Sequence, residues 1–284
     1  MKKILFRLLK ILLCIVLIVS AAFGWNLYDI NHIRINNYEL YSAKLPSNFN
    51  QYRIAFISDF HNAEYYEQLT QKVSSQSPDV ILVGGDMVNL DEQTYDNTIA
   101  LFKGLVNIAS VYMVMGNHEI YHDKLEQLKV DFGNLGVHFL NNQSTKLYKD
   151  AAYISLYGFK DPAIPDEDIT KPNMLKKQLD TAKYGVDTNT FSLMVMHRAN
   201  MFDVTYDLGY DLTLAGHIHG GVIRLPIVGG VLTPERDQWF PNYTKGMYYL
   251  GKSKMIVSAG LDKQKVKPRF FNPPELVMIT LKKG

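Results

Sequence analysis

Five short polar clusters in this chain carry side chains that could hold metal ions: Asp59-Phe60-His61, Gly84-Gly85-Asp86, Gly116-Asn117-His118-Glu119, His197 and Gly216-His217-Ile218-His219. Imidazole, carboxylate and amide oxygen together suit Mn, Fe, Zn or Ni, and the absence of thiolate among them disfavours a structural zinc site. Taken singly, Asp-x-His or Gly-Asp is also an ordinary turn. Two histidines at alternate positions with glycines on both sides have little structural reason to coexist. The seven candidate ligands are Asp59, His61, Asp86, Asn117, His197, His217 and His219. They are too many for one tetrahedral ion and suffice for two if a carboxylate bridges, Asp86 being the candidate bridge. Two metals about 3.5–4 Å apart are the usual clamp on the attacking and leaving oxygens of a phosphoryl displacement.

Each cluster follows directly on an apolar run of strand length. Such runs recur at 52–57, 80–83, 111–115, 152–157, 191–196, 212–215, 255–257 and 276–279, with helical patterns near 65–76, 95–107 and 122–135 between the early ones. Alternating strands and helices predict an α/β fold with a mainly parallel sheet in the first half, and the second half, with fewer helices, reads as more antiparallel. In open α/β sheets ligands bind beyond the carboxyl ends of the strands, so separate strands would deliver these side chains to one rim. No repeat, low-complexity stretch or linker interrupts the chain after Tyr38, so the body reads as one domain.

With 284 residues and 47% hydrophobic composition, the chain can bury a substantial core. Of its 30 Lys and Arg, four (Lys2, Lys3, Arg7 and Lys10) lie at the start, which leaves 26 against 28 acids, so the body is near neutral. That argues against nucleic-acid binding, which needs a basic face. The lone Cys14 sits in the N-terminal apolar run, so no disulfide framework is available. From Leu8 to Trp25 the run spans roughly 27 Å if Lys10 snorkels, enough for an anchor. Val19-Ser20-Ala21-Ala22 would also suit signal cleavage. Trp25 and Tyr28, where an interfacial aromatic belt would fall, favour retention. Residues 1–28 are therefore expected to be a membrane anchor or signal segment, 29–50 a connecting segment with the first strand, and 51–284 the catalytic domain. The catalytic domain would lie outside the cell membrane on a single-pass anchor, or be secreted after cleavage.

In order, Asp59-x-His61, Gly85-Asp86, Gly116-Asn117-His118-Glu119, His197 and Gly216-His217-x-His219 resemble the five-block pattern of the calcineurin-like metallophosphoesterases. The resemblance covers about residues 50–284. It implies a four-layer α/β/β/α sandwich and two divalent ions, one taken by Asp59, His61, Asp86 and His219, the other by Asp86, Asn117, His197 and His217, with a hydroxide between them as nucleophile. It also implies that His118 faces the phosphate, either stabilising charge or protonating the leaving oxygen. Glu119 reads instead as an acid at a helix start.

The protein phosphatase branch carries arginines after its Gly-Asp and Asn-His-Glu blocks. Here Leu90 and Ile120 stand at those places, so a phosphoprotein substrate is disfavoured. Asn89 stands where that branch has the carboxylate that orients the catalytic histidine. The anchor, Ser58-Asp59-Phe60-His61-Asn62, the stretch from Gly216 through Arg224-Leu225-Pro226, and Arg269 to Leu276 resemble a bacterial subgroup of membrane-associated phosphodiesterases related to UDP-diacylglucosamine pyrophosphatases. The implied function is hydrolysis of a phosphodiester, pyrophosphate or phosphomonoester, with a lipid-linked phosphate ester among the candidate substrates and Arg224 and Asn62 as candidate substrate-binding residues. Specificity is expected in the loops 158–172 and 220–243, where Trp239 and Phe240, like Phe270 and Phe271, either meet a lipid tail or cover the core. A silent metal-binding scaffold is the alternative, although such scaffolds usually lack a ligand and none is missing here.

Overall fold

The computed structural model describes residues 2–164, 172–187, 189–225, 227–233, 238–262 and 269–284. Parts of both expected specificity loops, including Pro226, lie outside these residues. A helix, α1 (Lys2–Asp29), is followed by β1 (Arg34–Ser42), β2 (Tyr52–Ile57), α2 (Tyr66–Ser75), β3 (Val80–Val83), α3 (Asp96–Leu105), β4 (Val111–Met113), α4 (Asn117–Tyr121), α5 (Leu125–Asn134) and β5 (Val137–Phe139). Then come β6 (Gln143–Lys149), β7 (Ala152–Phe159), α6 (Pro172–Gly185), β8 (Ser192–Arg198), α7 (Phe202–Thr205), β9 (Leu212–Gly216), the short pair β10 (Arg224–Leu225) and β11 (Gly229–Gly230), β12 (Gly246–Leu250), β13 (Ser253–Val257) and β14 (Glu275–Lys283).

Two six-stranded sheets result, in the orders β1-β14-β2-β3-β4-β5 and β12-β13-β9-β8-β7-β6. Alternation along the strands explains why they stack. In β2, Ile54 and Phe56 enter the core between the sheets, while Ala55 and Ile57 meet the helices. In β8, Leu193 and Val195 face the other sheet, whereas Met194 and Met196 pack towards α6 and α7. Strands apolar on both sides must be covered on both. Three separate apolar cores therefore fill the spaces of a four-layer α/β/β/α sandwich, the expected architecture.

The second sheet corrects the antiparallel reading. β7, β8, β9 and β13 run parallel, and only the edge strands β6 and β12 pair antiparallel. Apolar runs do not encode direction, and the crossover helix α6 was not among the helical patterns read from the sequence. The segment 29–50 is woven into the body, since all of β1 pairs with the carboxyl-terminal strand β14.

The 27 residues Lys3–Asp29 make a helix long and apolar enough to cross a membrane, about 40 Å at 1.5 Å per residue, and its apolar surface is uncovered by the body. Its final turn is tied down: Asp29 accepts from Arg34 (2.9 and 2.5 Å), and Asn26 is buried.

Candidate dinuclear metal centre

The carboxyl ends of β2, β3, β8 and β9, together with the start of α4 after β4, bring all seven sequence-predicted ligands to one rim. Asp59, His61 and His219 present donor atoms within 4.8 Å of one another, as do Asp86, His197 and His217 and also His61, Asp86 and His118. Asp59, Asp86 and the four ligand histidines are buried. Asp59, His61, Asp86, His217 and His219 have φ between 47° and 74°, the left-handed region that costs a non-glycine residue about 1–3 kcal/mol. Such a concentration turns each side chain back over its strand end. Gly216 allows the approach of two of these turns, since a Cβ there would lie 2.0 Å from Ser58 Oγ and 2.5 Å from Asp59 Oδ2.

The hydrogen bonds fix which ring nitrogens face the centre. His61 Nδ1 donates to Asn89 Oδ1 (3.1 Å), His219 Nδ1 to Asp262 Oδ1 (2.9 Å) and His197 Nδ1 to the Gly84 carbonyl (2.8 Å). Each Nε2 is left with its lone pair inward. There His61 Nε2 and His219 Nε2 lie 3.3 Å apart, and His197 Nε2 lies 2.9 Å from Asn117 Oδ1, 3.1 Å from His217 Nδ1 and 3.2 Å from Asp86 Oδ2. Lone pairs so placed repel unless positive charge sits among them, so the residues present fit two divalent cations sharing Asp86.

The electrostatics agree. Burial and then the neighbouring His118 and His219 push His61 down to about 3, so its ring is neutral, as a metal donor must be. Asp86 is buried, which alone would raise it, yet His197 and His118 hold it well below the usual carboxylate range. Burial opposes a proton on His219, but Asp262 and Asp59 draw its pKa up, as Asp86 does for His197, so the carboxylates favour positive charge at this rim, whether a proton or a metal ion supplies it.

Asp262 escaped sequence reading because it belongs to no motif. It is buried, donates nothing, and accepts from both His219 and Arg269, which fix its position. Replacing it by asparagine should weaken the ion at Asp59, His61 and His219 by about 10–100-fold. A Mn titration followed by calorimetry would measure this, and lost activity should return at correspondingly higher Mn. Loss that Mn cannot restore would count against the role.

Glu119 is more than a helix-starting acid. Its carboxylate is buried and accepts from the amides of Asp86 (2.8 Å), Met87 (2.6 Å), Val88 (3.3 Å) and Gly116 (2.9 Å), clamping the β3 loop to the β4 loop. Burial and the charge of Asp86 push it up to about 7, against the pull of the amides of Asp86 and Gly116.

Asn89 orients His61, not His118: it also donates to the His61 carbonyl (2.9 Å). His118 is held by the Leu90 amide, which donates to its Nδ1 (3.0 Å), and by its own amide donating to Asp86 Oδ1 (2.9 Å). The two expected substrate-binding residues are engaged with the protein itself. Asn62 accepts from the Thr98 amide (3.2 Å) and donates to Glu92 (2.9 Å) and the Thr94 carbonyl (3.3 Å). Arg224 donates to the Gly220 carbonyl (2.8 Å) and Thr244 (3.0 Å).

A metal-ligating rim of this kind on such a sandwich is that of a phosphoesterase, and sequence comparison agrees with the geometry. Residues 52–221 match the model of the calcineurin-like phosphoesterases, so the chain belongs to that family of metal-dependent phosphoesterases. It is similar to an uncharacterized metallophosphoesterase of Campylobacter jejuni, 26% identical over 97% of this chain and 71% of the relative. The metallophosphoesterase YkuE of Bacillus subtilis, also uncharacterized, is 25% identical over 94% of this chain and 92% of its own length. The phosphodiesterase YaeI of Escherichia coli is 24% identical over 77% of this chain and 78% of its length.

Proposed function

We propose that this protein hydrolyses a phosphodiester or pyrophosphate, or a phosphomonoester, of a membrane-borne substrate at the outer face of the cell membrane, held there by α1. The observation that carries the reading is the pair of buried donor sets meeting at Asp86. Asp59, His61, His219 and Asp86 would hold one ion, and Asp86, Asn117, His197 and His217 the other. Bound there, two divalent cations supply Lewis acidity towards phosphoryl oxygens and lower the pKa of bound water towards neutrality. The phosphodiesterase name of the Escherichia coli relative and the leucine and isoleucine in place of phosphatase arginines favour a diester over a phosphoprotein.

His118 would act as a hydrogen-bond donor to the phosphoryl group. Because the Leu90 amide donates to Nδ1, the neutral ring carries its proton on Nε2, 3.9 Å from Asp86 Oδ2 at the shared ligand. Giving up that proton would leave an imidazolate, so the amide favours charge stabilisation over proton transfer. His118→Ala should lower kcat by about 10²–10³-fold with metal content intact. The loss should be equal for nitrophenyl and alkyl diesters, and His118→Gln, which keeps an N–H, should recover part of it. A loss confined to poor leaving groups would point instead to a general acid.

Full-length protein in detergent, loaded with Mn and offered model diesters, pyrophosphates and monoesters, tests the reading as a whole. Turnover with a preference for diesters is expected. Two equivalents of bound metal with no turnover on any ester would leave the silent scaffold as the better account. Retention of the protein in membranes through a high-salt wash tests the anchor, and release as a shortened chain would mean the helix serves export alone.

A further inference from the structure

The segment following His219 carries an apolar surface that the catalytic centre does not use. Ile223, Leu225, Ile227, Val228, Trp239 and Phe240 are all exposed, Trp239 by 67% and Ile227 completely. Backbone pairing gathers them: β10 pairs with β11, Leu232 bridges to Trp239, and the Phe240 amide donates to the Val231 carbonyl (2.8 Å). Large apolar groups clustered at loop tips mark a surface that meets something apolar.

What they meet is indicated by the end of α1. Ile223 bridges to Phe270, and the Arg224 amide donates to the Phe270 carbonyl (2.9 Å). The next residue, Phe271, donates its amide to Asn26 Oδ1 (2.7 Å), and Asn26 Nδ2 donates back to the Arg269 carbonyl (3.4 Å). Asn26 stands between Trp25 and Tyr28, both exposed, whose rings belong at the headgroup level of a spanning helix. The segment 269–271 is thereby held at that level, and the apolar hairpin is tied to it through the single bridge between Ile223 and Phe270. Asn272 completes the connection by donating to the carbonyls of His219 (2.6 Å) and Val222 (3.2 Å).

We propose that this hairpin, with Trp239 and Phe240 beside it, inserts shallowly into the bilayer that α1 spans and seats the His219 side of the metal rim against the lipid headgroups. The proposal rests on the reading of α1 as a membrane anchor. It makes the headgroup layer the source of the phosphoester, because the rim is held against the plane in which those phosphates lie. Continuity with the anchor favours the bilayer over a second copy of the chain as the occupant of this surface.

The chain has two tryptophans, so Trp25→Phe leaves Trp239 as the sole reporter. The full-length variant is reconstituted in vesicles of phosphatidylglycerol and phosphatidylcholine brominated near the top of its acyl chains. Trp239 emission should fall to about half its value in unbrominated vesicles, as expected for a side chain about 5–10 Å into the interface. Adding Ile227→Ser and Val228→Ser should remove the quenching. Unquenched emission from protein that floats with the vesicles overturns the seating and leaves the anchor reading intact. Failure to float overturns both. Emission shielded from bromolipid and from aqueous iodide alike would mean that a protein surface covers the patch, and also overturns the proposal.

Discussion

Replacing Asp86 by alanine is expected to lower kcat by about 10³-fold or more, some 4 kcal/mol of transition-state stabilisation, and to reduce bound metal below two equivalents. Three functions leave with one carboxylate. Its Oδ2 lies 3.2 Å from His197 Nε2 and 3.9 Å from His61 Nε2, which positions it between the two donor sets. Its charge offsets the burial of both sets, and its Oδ1 accepts from the His118 amide (2.9 Å) and so places that ring. Asparagine separates these effects. Asp86→Asn keeps an acceptor for the amide but loses the charge, so it should bind metal as poorly as the alanine variant while His118 stays in position. Metal analysis beside steady-state kinetics reads both. An Asp86→Ala protein with undiminished turnover would end the shared-ligand reading.

The largest expected effect on stability belongs to Glu119. Glu119→Ala removes the common acceptor of four backbone amides in a fully buried place, leaving them without partners where water cannot replace the bonds. Breaking a buried charged contact of this kind costs about 3–5 kcal/mol. For a domain of this size that lowers Tm by about 6–15 °C. Glutamine should rescue little, because both carboxylate oxygens accept and its NH2 would face amide donors. Calorimetry in the presence of a chelator keeps the effect distinct from loss of metal-linked stability. A drop of only a degree or two would show that the four amides find other partners.

The two predictions rest on residues that the sequence revealed to different degrees. Asp86 was legible because its block, Gly84-Gly85-Asp86, recurs in order with four others, and each ends a strand of recognisable length. Glu119 was visible only as an acid at a helix start. Its true partners come from the β3 loop, and they reach it because β3 and β4 are parallel neighbours, a pairing that apolar periodicity does not encode. The partner of Asn89 was hidden for the same reason: its place in the block showed only that the orienting carboxylate is replaced, whereas the left-handed turn at His61 brings that ring to it. The parallel direction of the second sheet was lost because α6 sits in a stretch with weak apolar patterning, and direction follows from the crossover.

By itself, then, the sequence determined the α/β class, the seven candidate donor side chains and the apolar N-terminal helix, since each depends on residue type and local spacing, while the layering was implied by the family resemblance. Tertiary structure alone decided which ring nitrogen each histidine turns inward, that Asp262 steadies His219, that Arg224 and Asn62 are engaged with the protein's own loops, and that the end of α1 is joined through Asn26 to the segment 269–271 beside the metal rim. These are contacts between groups as far apart in the chain as Asn26 and Phe271. Their geometry is set by how strands pair and layers stack, and no short pattern of residues carries it.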